Sequence, residues 1–86
     1  MSETVQCWLV EREYEHESMV TLVYATVDGQ RHVTQQRSTA LLMKKPVTAG
    51  IDVEPERLEV VDESDQERYA AEAERVAQRH NPDDKL

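Results

Sequence analysis

The chain has 86 residues, with 18 acidic and 10 basic side chains, a formal net charge of −8 and a single cysteine, Cys7. This length supports one small domain that buries only about 60–65% of its unfolded surface, and one cysteine excludes an internal disulfide and fits a reducing interior. The start, MSETVQCWLV, lacks the basic and apolar regions of a secretory signal, and no apolar run approaches the ~20 residues that span a bilayer, so a cytoplasmic protein is expected.

Val5 to Glu13 reads as a strand with Val5, Cys7 and Leu9 on one face and Trp8 and Val10 on the other. Glu15-His16-Glu17-Ser18 is a polar break suited to a hairpin loop. Met19 to Val27, MVTLVYATV, is the strongest strand, rich in β-branched residues. Asp28-Gly29 follows, the signature of a type I′ turn in which both central residues adopt positive φ. That turn would pair Val27 with Gln30, Ala25 with His32 and Tyr24 with Val33. The third strand, Gln30 to Arg37, is polar and reads as an edge or a strand with one solvated face. Arg31, Val33, Gln35 and Arg37 share one of its faces; His32, Thr34 and Gln36 share the other.

Ser38 is placed to cap a short helix over Thr39 to Lys45, with Ala40-Leu41-Leu42-Met43 as its buried turn and Pro46 as its stop; a continuing strand is the alternative. Val47 to Val53 offers a fourth strand, and Leu58, Val60 and Val61 anchor the connector after Pro55. Ser64-Asp65-Gln66-Glu67 has the form of a capping box. Behind it Tyr69, Ala73, Val76, Ala77 and His80 recur at helical spacing, with Arg68–Glu72 and Glu72–Arg75 as surface pairs. Asn81 and Pro82 end this helix, and residues 83–86 are expected to fray. The fold class is therefore α+β. A three- to four-stranded antiparallel sheet carries one short helix, and a C-terminal amphipathic helix packs on one face, leaving the other to water or a partner, in a single domain over residues 1–82.

The amino-acid choices add an environment. Three lysines against seven arginines, eleven valines, one isoleucine and no phenylalanine accompany the excess of acid. Molar salt favours such a surface, because ions screen carboxylate repulsion to about 3 Å at 1 M. The closing run RYAAEAERVAQRHNPDD, with the acidic first half, resembles the small acidic uncharacterised proteins of halophilic archaea. The resemblance implies salt adaptation and carries no activity to transfer.

No constellation points to catalysis, a metal or a cofactor. His16, His32 and His80 are far apart in sequence, and Glu15-His16-Glu17 offers neighbours that rarely converge on one ion. Cys7 sits among apolar residues and acids, a setting for a structural thiol. Two glycines exclude phosphate-loop and dinucleotide fingerprints. Trp8, Tyr14 and Tyr24 would form a stacking platform if they shared an exposed face, and Trp8 and Tyr14 share strand parity.

The distinctive signal is a gap in the acids. From Gly29 to Ile51 there is no carboxylate, while four of the ten bases, Arg31, Arg37, Lys44 and Lys45, fall there. The candidate binding residues are Arg31, His32, Gln35, Arg37, Lys44 and Lys45, and the expected role is non-enzymatic binding of another protein or a second copy. A nucleic acid is the alternative, disfavoured by the anionic body and by the loss of phosphate affinity in salt. A protein partner predicts an apolar patch beside the bases, Trp8 with Val10 being the candidates; a nucleic acid predicts exposed arginines around an aromatic.

Overall fold

The structure is a computed structural model and describes residues 3–16 and 18–86, with the side chain of His16 set aside. The Glu15–Ser18 loop expected from the sequence therefore lies partly outside the described residues. Five strands form one antiparallel sheet: β1 (Val5–His16), β2 (Met19–Ala25), β3 (Arg31–Ser38), β4 (Gly50–Val53) and β5 (Glu59–Val60), in the order β4-β1-β2-β3-β5. The expectation of three to four strands is corrected to five. The extra strand is β5, two residues long and exposed, too short for any alternation to announce it.

The β2–β3 hairpin has the expected register, Ala25 opposite His32 and Tyr24 opposite Val33, but not the expected turn. Among the described residues only Gly29 has positive φ (72°), so Asp28 does not adopt the type I′ geometry. The hairpin closes instead one step earlier, through Thr26 N–H to the Arg31 carbonyl (3.0 Å), with Gly29 N–H donating to the Thr26 carbonyl (2.9 Å). Asp28 holds this loop: its carboxylate accepts from the Thr26 hydroxyl (2.6 Å) and the Gln30 N–H (3.0 Å). Those two hydrogen bonds, the Thr26 one first, keep its pKa below the ordinary value. Val27 is left exposed and does not face Gln30.

Directly paired residues share a face, so the registers sort the side chains. One face carries Cys7, Leu9, Val20, Leu22, Tyr24, Val33 and Val53, joined by Val47 and packed against Val5, Leu42, Ile51 and Leu58. The other carries Val23 and Ala25 with Val61 and Tyr69, joined by Val10. Each face thus carries a core cluster, so the idea of one wholly open face is corrected: the first face stays open only toward Arg12, Tyr14 and Arg37. The helix α2 (Glu63–Arg79) covers the second through Tyr69, Ala73 and Val76. The first is covered in part by Leu42 of α1 (Thr39–Lys44), Val47 of the connector to β4 and Leu58 ahead of β5. Burying Leu22 or Val20 there contributes about 1.5–3 kcal/mol each.

Other local expectations meet the same test. Ser38 does cap α1, its hydroxyl accepting from Leu41 N–H (3.1 Å). No residue of α1 is buried, however; Leu42 alone packs on the core and Met43 is 87% exposed. The capping box does not form, because α2 starts at Glu63 and no side chain caps it, placing Ser64 inside the first turn. Arg68 pairs with Glu11 (3.0 Å) and Asp65 (3.2 Å), not with Glu72; Arg75 does take Glu72. The final residues, expected to fray, are tied down. Gly50 N–H donates to the Pro82 carbonyl, Ala49 N–H to that of Asp84, and Leu86 N–H to that of Val47 (2.8–2.9 Å).

A cationic cleft on an acidic domain as the candidate functional site

The pairing of β1 with β2 slips at Val10: Leu9 lies opposite Tyr24, but Glu11 lies opposite Val23. Val10 is the extra residue of a bulge, and it reverses the facing of everything after it. Without the slip, Glu11 and Glu13 would continue the face of Cys7 and Leu9. With it, that face receives Arg12 opposite Leu22 and Tyr14 opposite Val20, while Glu11 turns to meet Arg68 of α2. A single inserted residue thereby turns Glu11 and Glu13 away from that side of the sheet.

On that side β3 presents Gln35, opposite Leu22, and Arg37, opposite Val20. The two are hydrogen-bonded, Arg37 Nη2 to Gln35 Oε1 at 2.9 Å. Facing them across a gap are Leu41 and Lys45, followed by Pro46, Val47 and Thr48. The cleft between has a volume of about 220 Å³, with Leu22, Tyr24 and Ile51 as its apolar floor and Gln35, Arg37 and Lys45 at its rim. Typical small-molecule sites span about 300–1,000 Å³, so this cleft suits one or two side chains better than a cofactor.

Tyr24 is only 3% exposed, and its hydroxyl makes no hydrogen bond within the protein among the described residues. Burial raises its pKa; the positive charges of Arg37 and then Arg12 pull it back down. Arg12, which the sequence analysis did not name, shares the sheet face of Gln35 and Arg37 but borders a separate hollow with Glu11, Glu72, Arg75 and Arg79. Its signal was present in the switch from apolar Cys7 and Leu9 to Glu11 and Glu13 at one parity, which a bulge resolves.

Of the six expected binding residues, the structure gathers Gln35, Arg37 and Lys45 at the cleft. Arg31 shares the face but lies at the far end of β3, opposite Val60. Lys44 is exposed and does not line the cleft. His32 is on the opposite face with its ring edge-on to Tyr69 (centroids 6.4 Å apart), and its Nδ1 is buried without a partner among the described residues. The bases of the acid-free segment make no ion pair among the described residues; the ion pairs found there all involve α2 or its C-cap, His80.

The aromatic platform is corrected: the bulge puts Trp8, opposite Ala25, and Tyr14, opposite Val20, on different faces. Trp8 and Val10 are half-buried on the α2 side, away from the bases. Of the exposed apolar groups, Leu41 lines the cleft, Met43 follows it on α1, and Tyr14 (63% exposed) lies on the same sheet face as Arg37. No group of three or more His, Cys, Asp or Glu side chains is placed to hold a metal among the described residues. Cys7 is buried, and burial, helped by the charge of Asp52, pushes its thiol up to about 11. No helix among the described residues is long and apolar enough to cross a membrane.

The model of DUF7967, a family of unknown function, matches residues 1–86, and the chain belongs to that family. No curated protein and no solved structure matches it.

Proposed function

We propose that this chain is a non-catalytic protein-binding module whose cleft receives an acidic segment of a partner protein. The observation that carries the reading is sign segregation: Arg37 and Lys45 border the cleft, which no carboxylate lines, and neither makes an ion pair among the described residues, while the ion-paired acids Glu11, Asp65 and Glu72 lie on or against α2. Arg37 offers a planar fork of donors to a carboxylate, and Gln35 holds that fork in place. Tyr14, Leu41 and Met43 supply the apolar contact that a protein interface needs at its centre.

A nucleic acid is the second reading, favoured by one observation: exposed Tyr14 shares its face with Arg12 and Arg37. The net charge of −8 opposes it. Composition further supports work in molar salt, in the cytoplasm of a halophilic archaeon, where phosphate binding is weakest.

The test is a paired charge reversal. A fluorescein-labelled heptapeptide of alternating Glu and Val serves as one probe and a single-stranded oligonucleotide as the other. Arg37→Glu with Lys45→Glu abolishes peptide binding, whereas Arg31→Glu with Lys44→Glu, outside the cleft, leaves it within a factor of about two. Circular dichroism checks the fold of both. Oligonucleotide binding in place of peptide binding, or equal loss in both double variants, sinks the reading.

A further inference from the structure

Resting on that reading, we infer the mode of capture: the acidic segment binds as an extended strand along the outer edge of β3. β5 covers only the start of that edge, Arg31 and His32, and no strand pairs with its outer side from Val33 to Ser38 among the described residues. The direction of each backbone group follows from its neighbours. The Arg31 carbonyl accepts from Thr26 on the β2 side, while the Gln30 carbonyl accepts from Val61 on the outer side (2.9 Å). Alternation then sends the N–H and C=O groups of Thr34 and Gln36 outward. Six residues of strand give an edge of roughly 20 Å, enough for a short peptide.

Among the described residues β5 is also unpaired on its outer side but offers only two residues, and the other long unpaired edge is that of β1 beyond its pairing with β4; the features of β1 and β3 select between them. β1 is bulged at Val10, has a second register shift between Tyr14 and His16, and carries Glu11, Glu13 and Glu15. Bulges and charges of the partner's own sign discourage strand addition. β3 pairs with β2 without a slip from Met19–Ser38 to Ala25–His32 and contains no acid. It is the straight, positive edge.

Strand addition also explains the side-chain arrangement. A residue opposite Gln35 or Arg37 on an added strand has its Cβ about 4.5–5.5 Å away, on the cleft face. Alternate residues of the partner therefore reach the Arg37–Gln35 pair and the cleft beside it, lined by Lys45 and floored in part by the buried Tyr24. The occupant is an extended segment with acidic residues at every second position; main-chain pairing supplies affinity and the cationic face supplies selection.

The experiment uses the full chain and the Glu–Val heptapeptide, together with two versions N-methylated at alternate amides. Only one set of amides faces β3 in a bound strand. One methylated version therefore binds at least roughly tenfold more weakly, while the other binds like the parent. Hydrogen exchange at the Thr34 and Gln36 amides slows on adding the parent peptide. If both methylated peptides bind like the parent, or the two amides exchange unchanged, edge addition is wrong although the acidic-partner reading survives. If the parent itself does not bind, that reading falls and takes this inference with it. Sedimentation showing a peptide-free dimer that already protects Thr34 and Gln36 would assign the edge to a second copy and overturn the inference.

Discussion

Gly29, at the tip of the β2–β3 hairpin, lies against the backbone of Gln66 in α2. A Cβ built on Gly29 would stand 2.2 Å from the Gln66 carbonyl oxygen and 2.6 Å from the Ala70 nitrogen. The hairpin tip meets the helix backbone directly, and neither the Gln66 oxygen nor the Ala70 nitrogen belongs to a flexible side chain that can step aside. Gly29 is also at φ +72°, a conformation that costs a residue with a Cβ about 1–2 kcal/mol. Gly29→Ala combines the two penalties and should lose about 3 kcal/mol or more of stability. Chemical denaturation measures it; a loss below about 1 kcal/mol would mean that the tip swings away from α2 at little cost.

How far the sequence reached depends on how local each signal was. Ser38 capping α1, the Tyr24–Val33 register and the Tyr69–Ala73–Val76 stripe of α2 each depend on neighbours within a turn or a hairpin, and each was legible. The facing of Arg12 depends on a register slip at Val10 that alternation alone cannot place, so its position on the face of Gln35 and Arg37 was hidden. The docking of Pro82–Leu86 onto Val47–Gly50 is main-chain pairing between distant segments, invisible to side-chain pattern. The acid-free run is continuous in sequence, but strand alternation divides it, sending His32 to the other face from Arg37.

The Cys7 thiol should be inert in the folded protein. Burial raises it to about 11, with Asp52 adding to the effect, so little thiolate exists near neutral pH. Alkylation by iodoacetamide at pH 8 should proceed only as fast as the chain unfolds. Prompt modification under native conditions would place the thiol at the surface.

Asp28 should give the hairpin an acid sensitivity. Its folded pKa is lowered by the Thr26 hydroxyl and the Gln30 N–H, so its carboxylate stabilises the fold fully above the unfolded value of about 3.9. That contribution is lost as the pH falls through the lower folded value, because protonation removes the acceptor. Asp28→Asn should therefore be less stable than the parent at pH 6, with the difference shrinking toward pH 2. A difference that stays constant over this range would deny Asp28 its part.

Salt should stabilise the fold well beyond ordinary ionic strength. Most carboxylates are exposed, and self-repulsion of a −8 body persists until screening contracts to about 3 Å near 1 M. The thermal midpoint should keep rising from 0.1 to 2 M KCl. A plateau by roughly 0.3 M would reduce the acidic surface to a solubility device.

Arg12 tests how far the binding face extends beyond the cleft itself, because sequence position and structure assign it oppositely. It lies outside the acid-free segment, flanked by Glu11 and Glu13, yet the bulge at Val10 turns it to the face of Gln35 and Arg37 and turns both glutamates away. Its charge reaches the Tyr24 hydroxyl at the cleft floor. Arg12→Glu should weaken binding of the Glu–Val heptapeptide by about three- to tenfold at 0.15 M KCl, and the effect should shrink as salt rises. Arg31→Glu, within the acid-free segment but at the far end of β3, should change it by less than about twofold. Equal effects from both reversals would mean that the peptide senses only net charge; a larger effect at Arg31 would move the contact surface toward β5. An intact thermal midpoint in each variant separates these outcomes from loss of the bulge itself.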